Sequence, residues 1–266
     1  MQPSAPATLT AEAAGTMMKA AADGIRGWLD RLLSVGYGVV YDYVYPRFNY
    51  YQRLQAEVRD LVEAAVPARV ERRDVRVLEV ACGPGNFTCA LAEAGFTVTG
   101  LDAYAALVEA AKEKRRARHL SNLAFRHGEL TRGNPFRDET FDQVVSIHSL
   151  YVHPAPDQLL REAYRVLKPG GHAVFVNHTR QIGRWSTVRE LARRDGLGAA
   201  LHGLLWVLPN SIFEAARRGV GPHYWDEDTF SARVRGSGFS VLTVRRTFLG
   251  DASLLVWARK EHLRAT

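Results

Sequence analysis

The feature that most constrains the fold is an alternation of apolar, strand-like runs with amphipathic segments, which starts at Val75. "VRVLEVA" (Val75–Ala81) is almost continuously apolar, which is typical of a central strand buried on both faces of a parallel sheet. Further strand-like runs follow at Thr97–Asp102, Leu123–Glu129, Phe141–Ser149 and His172–His178, with helical patterns between them. This alternation predicts an α/β fold with a doubly wound, mostly parallel sheet and right-handed crossovers.

The segments outside this alternation predict the rest of the architecture. "FSVLTVRRTF" and "SLLVWARK" flank "LGDA", which predicts an antiparallel terminal hairpin that completes a seven-stranded sheet. Residues 25–70 predict an N-terminal helical lid that Pro46 breaks into two helices, and residues 179–228 predict a helical insertion after strand five. We expect residues 1–24 to form a disordered or weakly helical leader and residues 71–262 to form the main domain.

Composition limits the partners and the compartment. The 266 residues include 35 Lys and Arg against 28 Asp and Glu, a net charge of +7 that permits nucleic acid or anionic lipid but also fits an arginine-rich solvated surface. The two cysteines, Cys82 and Cys89, fit neither a disulfide framework nor a metal site. No apolar run is long enough to span a membrane. These observations predict a cytoplasmic protein without a bound metal.

The stretch "VLEVACGPGNFT" (Val77–Thr88) predicts a ligand site at the end of strand one. Gly83 and Gly85 allow a sharp strand-to-helix turn and a close approach of a ligand to the backbone. The first amide groups of the next helix would face that ligand. Asp102, at the end of strand two, can accept hydrogen bonds from both hydroxyls of a ribose. Together these features predict a nucleotide site.

Two residues argue against a dinucleotide. Thr88 stands where the third glycine of a G-x-G-x-x-G turn would be. Glu79 lies just before the loop, where its carboxylate would repel a pyrophosphate. A cofactor with a positively charged amine suits Glu79 better.

Four stretches, in order and spacing, resemble the motifs of the class I S-adenosylmethionine-dependent methyltransferases. They are "VLEVACGPG", "GLD", "HGELTRGNPFRDETFDQVVS" and "REAYRVLKPGGHAVFV", and the last resembles the subgroup that acts on small molecules and lipids. The resemblance spans roughly residues 75–260, and the terminal hairpin is similar to the family's inserted seventh strand. It implies a Rossmann-like methyltransferase domain with S-adenosyl-L-methionine as cofactor.

The resemblance also implies roles for individual residues. Glu79 and the backbone around Ala81, Gly83 and Gly85 would hold the methionine part, and Asp102 would hold the ribose. The adenine would lie beside Ala103, Glu129 and Leu130, although glutamate stands where the family often has aspartate. Ile147 would lie near the methyl group, and Tyr41 of the lid would reach the cofactor. Each of these residues could instead cap a loop or fill the core.

Three histidines are candidate catalytic bases. An oxygen acceptor needs a base to remove its proton, and histidine is the side chain suited to this at neutral pH. His148 and His153 follow strand four, and His178 ends strand five. All three therefore fall at the carboxyl edge of the sheet, where ligands bind in this architecture. Each could instead serve only to fill the core.

Two segments are expected to cover the acceptor. The aromatic lid contributes Tyr41 and Tyr50 as candidates, and Arg53 could meet the cofactor carboxylate. Residues 197–213 of the insertion are nearly all apolar, which favours a pocket for a hydrophobic acceptor. Basic residues flank this apolar stretch and could rest on anionic lipid, so the hypothesis of peripheral membrane contact stays open.

The sequence as a whole predicts a methyltransferase with a small, hydrophobic acceptor. A terpenoid, polyketide or phenolic compound of secondary metabolism is the first expectation, and a lipid or lipid headgroup is the second. Two further hypotheses stay open: the same fold catalysing a non-methylating cyclisation or rearrangement, and a non-catalytic cofactor-binding partner subunit. Strand four ends in "SIHSLY" rather than in the "NPPY"-type motif of amino-group nucleic-acid methyltransferases, so no nucleic-acid acceptor is expected.

Overall fold

The computed structural model describes residues 24, 32, 35–36, 38–43, 45–133, 135–179, 188–198, 200–201, 203–204, 223–249 and 251–262. The predicted leader lies outside the described residues apart from Gly24, and so does much of the predicted insertion between residues 179 and 228.

A seven-stranded sheet forms the centre of the molecule. Its strands are β1 (Arg76–Val80), β2 (Thr97–Asp102), β3 (Leu123–His127), β4 (Phe141–Ile147), β5 (Leu167–His178), β6 (Ser240–Thr247) and β7 (Ser253–Arg259). Their order is β3-β2-β1-β4-β5-β7-β6. Strands β1 to β5 pair in parallel, while β7 runs antiparallel to both β5 and β6. The predicted doubly wound sheet with an antiparallel terminal hairpin is therefore confirmed.

Helices cover both faces of the sheet. They are α1 (residues 38–43), α2 (Asn49–Ala64), α3 (Asn86–Glu93), α4 (Ala105–Ala117), α5 (Pro156–Val166), α6 (residues 188–198) and α7 (Glu227–Gly236). Apolar residues of α2, α3 and α4 pack in one hydrophobic cluster, and those of α5 and α7 pack in a second. The central strands are buried from both sides, which explains why their sequences are almost continuously apolar.

The described residues between 35 and 64 are mostly helical and contain the expected interruption. Pro46 lies in a short 3₁₀ turn, Tyr45–Arg47, that separates α1 from α2. Proline cannot donate a backbone hydrogen bond, so a continuous α-helix is disfavoured there. None of the helices in the described part of the chain combines the length and the apolar character needed to cross a bilayer.

Strand β5 differs from the sequence-based prediction at its start. The sequence predicts strand five over His172–His178, with "KPGG" as a turn before it, but β5 already begins at Leu167. Leu167 pairs with Phe141 of β4, and the register then shifts before Gln143 pairs with His172. Gly170, at a φ of +80°, provides the left-handed backbone that this irregularity requires. The segment is therefore an irregular strand and not a separate turn.

Candidate active site

The loop between β1 and α3 turns sharply because several of its residues take left-handed backbone angles. Ala81, Gly83 and Gly85 have φ values of 56°, 53° and 78°. A Cβ on Gly85 would lie 2.6 Å from a ring carbon of Phe125, so glycine is needed there for packing. A Cβ on Gly83 would meet nothing within 4 Å. Gly83 therefore leaves open space for a ligand, whereas Gly85 lets the loop pack on β3.

Asp102 joins this loop to the end of β2. Its carboxylate accepts hydrogen bonds from the backbone N–H of Gly83, at 2.7 Å, and of Tyr104, at 2.9 Å. The residue is only 6% exposed, and burial raises its pKa while the two amides act in the opposite direction. Asp102 lies between two adjoining cavities and lines both of them.

The first cavity combines apolar walls with two buried acids, Asp102 and Glu79. Aromatic rings of Tyr41, Tyr51 and Tyr151 line it together with Gly83 and Glu79. The Glu79 carboxylate is 3% exposed and accepts a hydrogen bond from the hydroxyl of Thr88. Burial, the largest cause, raises its pKa to about 8. A cationic ligand group would compensate the cost of ionising this carboxyl, and a phosphate would not.

A lysine connects the loop to the N-terminal helices. The Lys114 ammonium donates to the carbonyl of Pro84 at 3.0 Å, to the side-chain oxygen of Asn86 at 2.5 Å and to the carboxylate of Asp42 in α1. The side-chain nitrogen of Asn86 is buried and has no partner among the described residues, and Asn86 lines the first cavity. This unpaired N–H group is a ready donor to an anionic ligand group.

The second cavity lies on the other side of Asp102. Ala103, Leu130 and Glu129 line it, as do His153 and Arg132. The Glu129 carboxylate accepts a hydrogen bond from the hydroxyl of Thr131 at 2.7 Å and contacts Arg132 at 3.2 Å and His153 at 3.3 Å. The cavity offers an apolar wall with the Glu129 carboxylate in addition to that of Asp102, which suits an adenine ring with an amino group.

His148 and His178 meet at the carboxyl edge of the sheet. Their rings stack at a centroid distance of 3.9 Å and an interplanar angle of 12°. Nε2 of His148 and Nδ1 of His178 each lie 2.9 Å from the hydroxyl oxygen of Ser253. Burial lowers the pKa of His148 well below its usual range, and it lowers the pKa of His178 to about 3. Both rings are therefore neutral at physiological pH, and His148 lines the first cavity.

The sequence matches a family described as a methyltransferase domain over residues 78–175. This range contains the glycine loop, Asp102 and His148, and it ends within β5. Residues 78–175 belong to the class I S-adenosylmethionine-dependent methyltransferase family. S-adenosylmethionine is the methyl donor of this family.

Three curated methyltransferases are similar to this family member. The phthiotriol/phenolphthiotriol dimycocerosates methyltransferase of Mycobacterium leprae is 31% identical over 48% of this chain and 50% of its own length. The demethylmenaquinone methyltransferase of a Geobacillus species is 38% identical over 37% of this chain and 43% of its own length. The phosphatidylethanolamine N-methyltransferase of Cereibacter sphaeroides is 33% identical over 50% of this chain and 66% of its own length. The chain spans about half the length of the curated relatives it matches.

Solved structures share the methyltransferase fold. The cyclase SpnF superposes with a TM-score of 0.56 at 19% identity, covering 78% of this chain and 82% of its own. At this identity the likeness shows the fold alone.

The residues at the two cavities fit S-adenosylmethionine in their chemistry. The buried acid Glu79 suits a cationic group, the unpaired N–H of Asn86 suits a carboxylate, and the open space at Gly83 admits a close backbone contact. The Asp102 carboxylate has lone pairs beyond the two that its amide partners occupy. The ammonium and carboxylate groups of the methionine part would therefore contact different residues on the two sides of the glycine loop.

The structure brings most of the sequence-predicted residues to these cavities. Tyr41, Glu79, Ala81, Gly83, Asp102, Ile147 and His148 line the first, and Ala103, Glu129, Leu130 and His153 line the second. Two lid residues lie elsewhere: the Tyr50 hydroxyl donates to Asp195 of α6 at 3.0 Å, and Arg53 lies over the Tyr50 ring. Arg53 is thus not placed to meet a carboxylate in the first cavity. The roles of the lining residues stay predictions.

His153 is engaged at both ring nitrogens. Its Nδ1 accepts a hydrogen bond from the backbone N–H of Ala155 at 3.0 Å, so the proton of the neutral ring is on Nε2, which faces Glu129. This arrangement favours positioning of Glu129 over proton removal. We expect His153→Gln to weaken S-adenosylmethionine binding by about 3- to 10-fold, because Glu129 loses the polar contact at 3.3 Å that helps to hold its carboxylate in place. Titration calorimetry measures this change.

The matched control for His153 is the rate of methyl transfer at saturating cofactor. We expect that rate to stay within about 2-fold of the unmodified protein, since no proton transfer is removed. A large fall in rate with unchanged cofactor affinity would instead assign His153 the role of the base.

Sequence reasoning did not single out Ser253, Asn86 or Lys114. Ser253 pairs with His178 across β5 and β7, so the register of the terminal hairpin was the available signal. Lys114 lies among other basic residues in the last turn of α4, where cations complement the helix dipole, so its sequence position alone indicates no further role. Its contacts with Asp42 and Pro84 join segments far apart in sequence and need the folded structure to be recognised.

Proposed function

We propose that this protein transfers the methyl group of S-adenosylmethionine to a small, hydrophobic acceptor, with a terpenoid, polyketide or phenolic compound as the first candidate. The observation that carries the proposal is the first cavity, in which apolar and aromatic walls adjoin both the glycine loop and His148. The bound cofactor would supply an electrophilic methyl group, and the protein would position the acceptor and exclude water.

The roles of the chain's own residues follow from their places. Glu79 and Asn86 would bind the charged groups of the methionine part, and Asp102 would accept hydrogen bonds from the ribose. Glu129 would bind the adenine amino group between Ala103 and Leu130. These assignments predict that the cofactor spans both cavities, and that the acceptor enters on the side of Tyr51 and His148.

The relatives support an acceptor with a large apolar part. Their names give demethylmenaquinone, phthiotriol dimycocerosates and phosphatidylethanolamine as what those proteins methylate. A lipid acceptor is therefore the second candidate. It is favoured by the exposure of two leucines in the insertion, Leu197 at 78% and Leu201 at 65%, which would contact a membrane surface. We also propose a cytoplasmic location, which the two free thiols of Cys82 and Cys89 support because the cytoplasm keeps thiols reduced.

The test is incubation with S-adenosylmethionine that carries a labelled methyl group. The acceptor panel contains a hydroxyquinone, simple and prenylated phenols, and vesicles of phosphatidylethanolamine with and without anionic lipid. We expect label in a phenolic or quinone product. Label in the phospholipid alone would favour the second candidate. Cofactor binding with a rearranged but unlabelled product would indicate non-methylating chemistry, and turnover only with an added protein would indicate a partner subunit.

A further inference from the structure

Ser253 bridges the two stacked histidines and has no role in the proposed function so far. It is completely buried at the first residue of β7, where it pairs with His178. Its hydroxyl oxygen lies 2.9 Å from Nε2 of His148 and 2.9 Å from Nδ1 of His178. Both distances are those of hydrogen bonds.

The single hydroxyl proton of Ser253 couples the two rings. A serine can donate one hydrogen bond and accept two, so at most one of the two histidine nitrogens can receive its proton, and a nitrogen that does not receive it must donate its own proton to the serine oxygen. If His148 donates from Nε2, its Nδ1 is a bare lone pair. If His148 accepts at Nε2, its Nδ1 carries the proton. Ser253 therefore determines what His148 offers at its second nitrogen.

Nδ1 is the ring nitrogen of His148 that Ser253 leaves available. His148 lines this cavity, and no group among the described residues hydrogen-bonds its Nδ1. Glu79 lines the same cavity, and a buried acid there suits a cationic ligand. The field of a nearby cation favours the ring tautomer that turns a lone pair, not an N–H group, towards it.

The surroundings hold His148 in one arrangement. Its backbone has a φ of 49°, a left-handed angle that is uncommon for a residue with a side chain and that clusters at functional sites. Its N–H donates to the carbonyl of Val176 at 2.8 Å. Its ring is enclosed by His178 on one face, with Phe248 at 4.9 Å and Tyr51 at 6.3 Å. Because the neutral ring is held in place, a change of tautomer decides whether its Nδ1 carries a proton or a lone pair.

We propose that Ser253 is a positioning residue that holds His148 with its proton on Nε2 and a lone pair on Nδ1, so that His148 accepts the proton of an O–H acceptor during methylation. The inference rests on the proposed function and narrows the acceptor to a hydroxyl, phenol or enol. His148 is the group that would touch the substrate, and Ser253 acts through it.

The transfer balances without any further reactant. The acceptor oxygen forms a bond to the methyl carbon, and the carbon–sulfur bond breaks with its electron pair remaining on sulfur. The acceptor's O–H bond breaks, and its proton goes to Nδ1 of His148. The sulfonium charge is thereby replaced by the charge of an imidazolium, which loses its proton to water when the product leaves.

The decisive measurement is ¹⁵N NMR of protein labelled at histidine, with S-adenosylmethionine bound and no acceptor present. His148→Gln identifies the signals of His148 by their loss. We expect an unprotonated-type shift at Nδ1 and a protonated-type shift at Nε2 of His148. We expect Ser253→Ala to produce a mixture of the two His148 tautomers. The control is Ser231→Ala, which removes the hydroxyl of another buried serine, in α7, and is expected to leave the His148 tautomer unchanged. A protonated Nδ1 in the unmodified protein overturns the inference.

Kinetics give the second readout. We expect Ser253→Ala to lower the rate at saturation by about 10- to 100-fold, within what a general base contributes, while KM for the acceptor changes by less than about 2-fold. Ser253→Thr retains the hydroxyl and is expected to keep most of the rate. A Ser253→Ala variant with full activity contradicts the inference, and the NMR of the unmodified protein decides it even if this variant does not fold.

Cofactor binding separates this inference from the proposed function. Calorimetry with S-adenosylmethionine is performed first on the same sample. Absence of binding contradicts the proposed function and the inference with it. Binding together with a protonated Nδ1 on His148, or with labelled product formed only from amines, contradicts the inference alone.

Discussion

Replacing Asp102 with alanine is expected to abolish measurable S-adenosylmethionine binding and to destabilise the protein. The carboxylate accepts hydrogen bonds from the backbone N–H groups of Gly83 and Tyr104, and both amides lose their partner in the variant. Each unpaired buried donor costs about 1–3 kcal/mol, and the loop that Asp102 holds loses its anchor. The lost ribose hydrogen bonds add to this effect. We expect affinity to fall by about 100-fold or more, measured by titration calorimetry.

Asp142→Ala is the matched control for Asp102. Asp142 also accepts a hydrogen bond from a backbone amide, that of Arg76 at 2.9 Å, but at the starts of β1 and β4. It should lower the melting temperature without changing cofactor affinity. Asp102→Asn, which keeps one acceptor oxygen, should lie between the unmodified protein and Asp102→Ala in both measurements. Unchanged affinity in Asp102→Ala would exclude the ribose role of this residue.

Glu79→Gln is expected to weaken cofactor binding by about 10- to 100-fold and to change its dependence on pH. A hydrogen bond to a charged group contributes about 1.5–3 kcal/mol, and the amide lacks that charge. Burial raises the pKa of Glu79 to about 8 in the ligand-free protein, so the carboxyl is largely protonated at pH 7. A cationic ligand favours the ionised form. Binding should therefore release a proton at pH 7, which calorimetry in two buffers of different ionisation enthalpy detects.

The raised pKa of Glu79 also has a consequence for the ligand-free protein. A carboxyl whose pKa increases from 4.5 to about 8 on folding stabilises the folded state fully below pH 4.5, and this contribution is lost as pH rises towards 8. The free energy of unfolding should decline across that window, and Glu79→Gln should remove this part of the decline. The free energy of unfolding is measured by denaturant titration at several pH values between 4.5 and 8. If it declined with pH equally in the unmodified protein and in Glu79→Gln, Glu79 would ionise normally. In the binding experiment, the comparison with Glu79→Gln separates proton release by Glu79 from proton release by the cofactor's own amine.

Much of the fold could be predicted because the chain's pattern is locally consistent. Val77, Leu78 and Val80 lie in a strand covered on both faces, and only a parallel central strand makes such a run favourable. The position of Asp102 at the end of β2 followed from the same pattern. The predicted start of strand five at His172 was wrong because the proline and glycines of "KPGG" favour a turn, and the pairing of Leu167 with Phe141 that overrides this preference is non-local.

The candidate site was predictable to the level of the sheet edge and not to the level of contacts. His148 and His178 end neighbouring strands, so their proximity followed from the strand order. Their stacking and the shared hydroxyl of Ser253 depend on the register of β5 with β7. His153 was placed at the same edge by its sequence position, but the backbone amide of Ala155 occupies the nitrogen that a base would need.

Lys114 links the position of α1 to the conformation of the glycine loop at the first cavity. Its ammonium group holds α1, through Asp42, against the backbone of the loop at Pro84. If α1 moved outwards, this mostly buried cation would either follow it and abandon the loop, or stay and lose its counter-charge. Displacement of α1 and loosening of the glycine turn are therefore coupled, and a ligand that tightens the turn also holds Gly38 and Tyr41 of α1 in the wall of the first cavity.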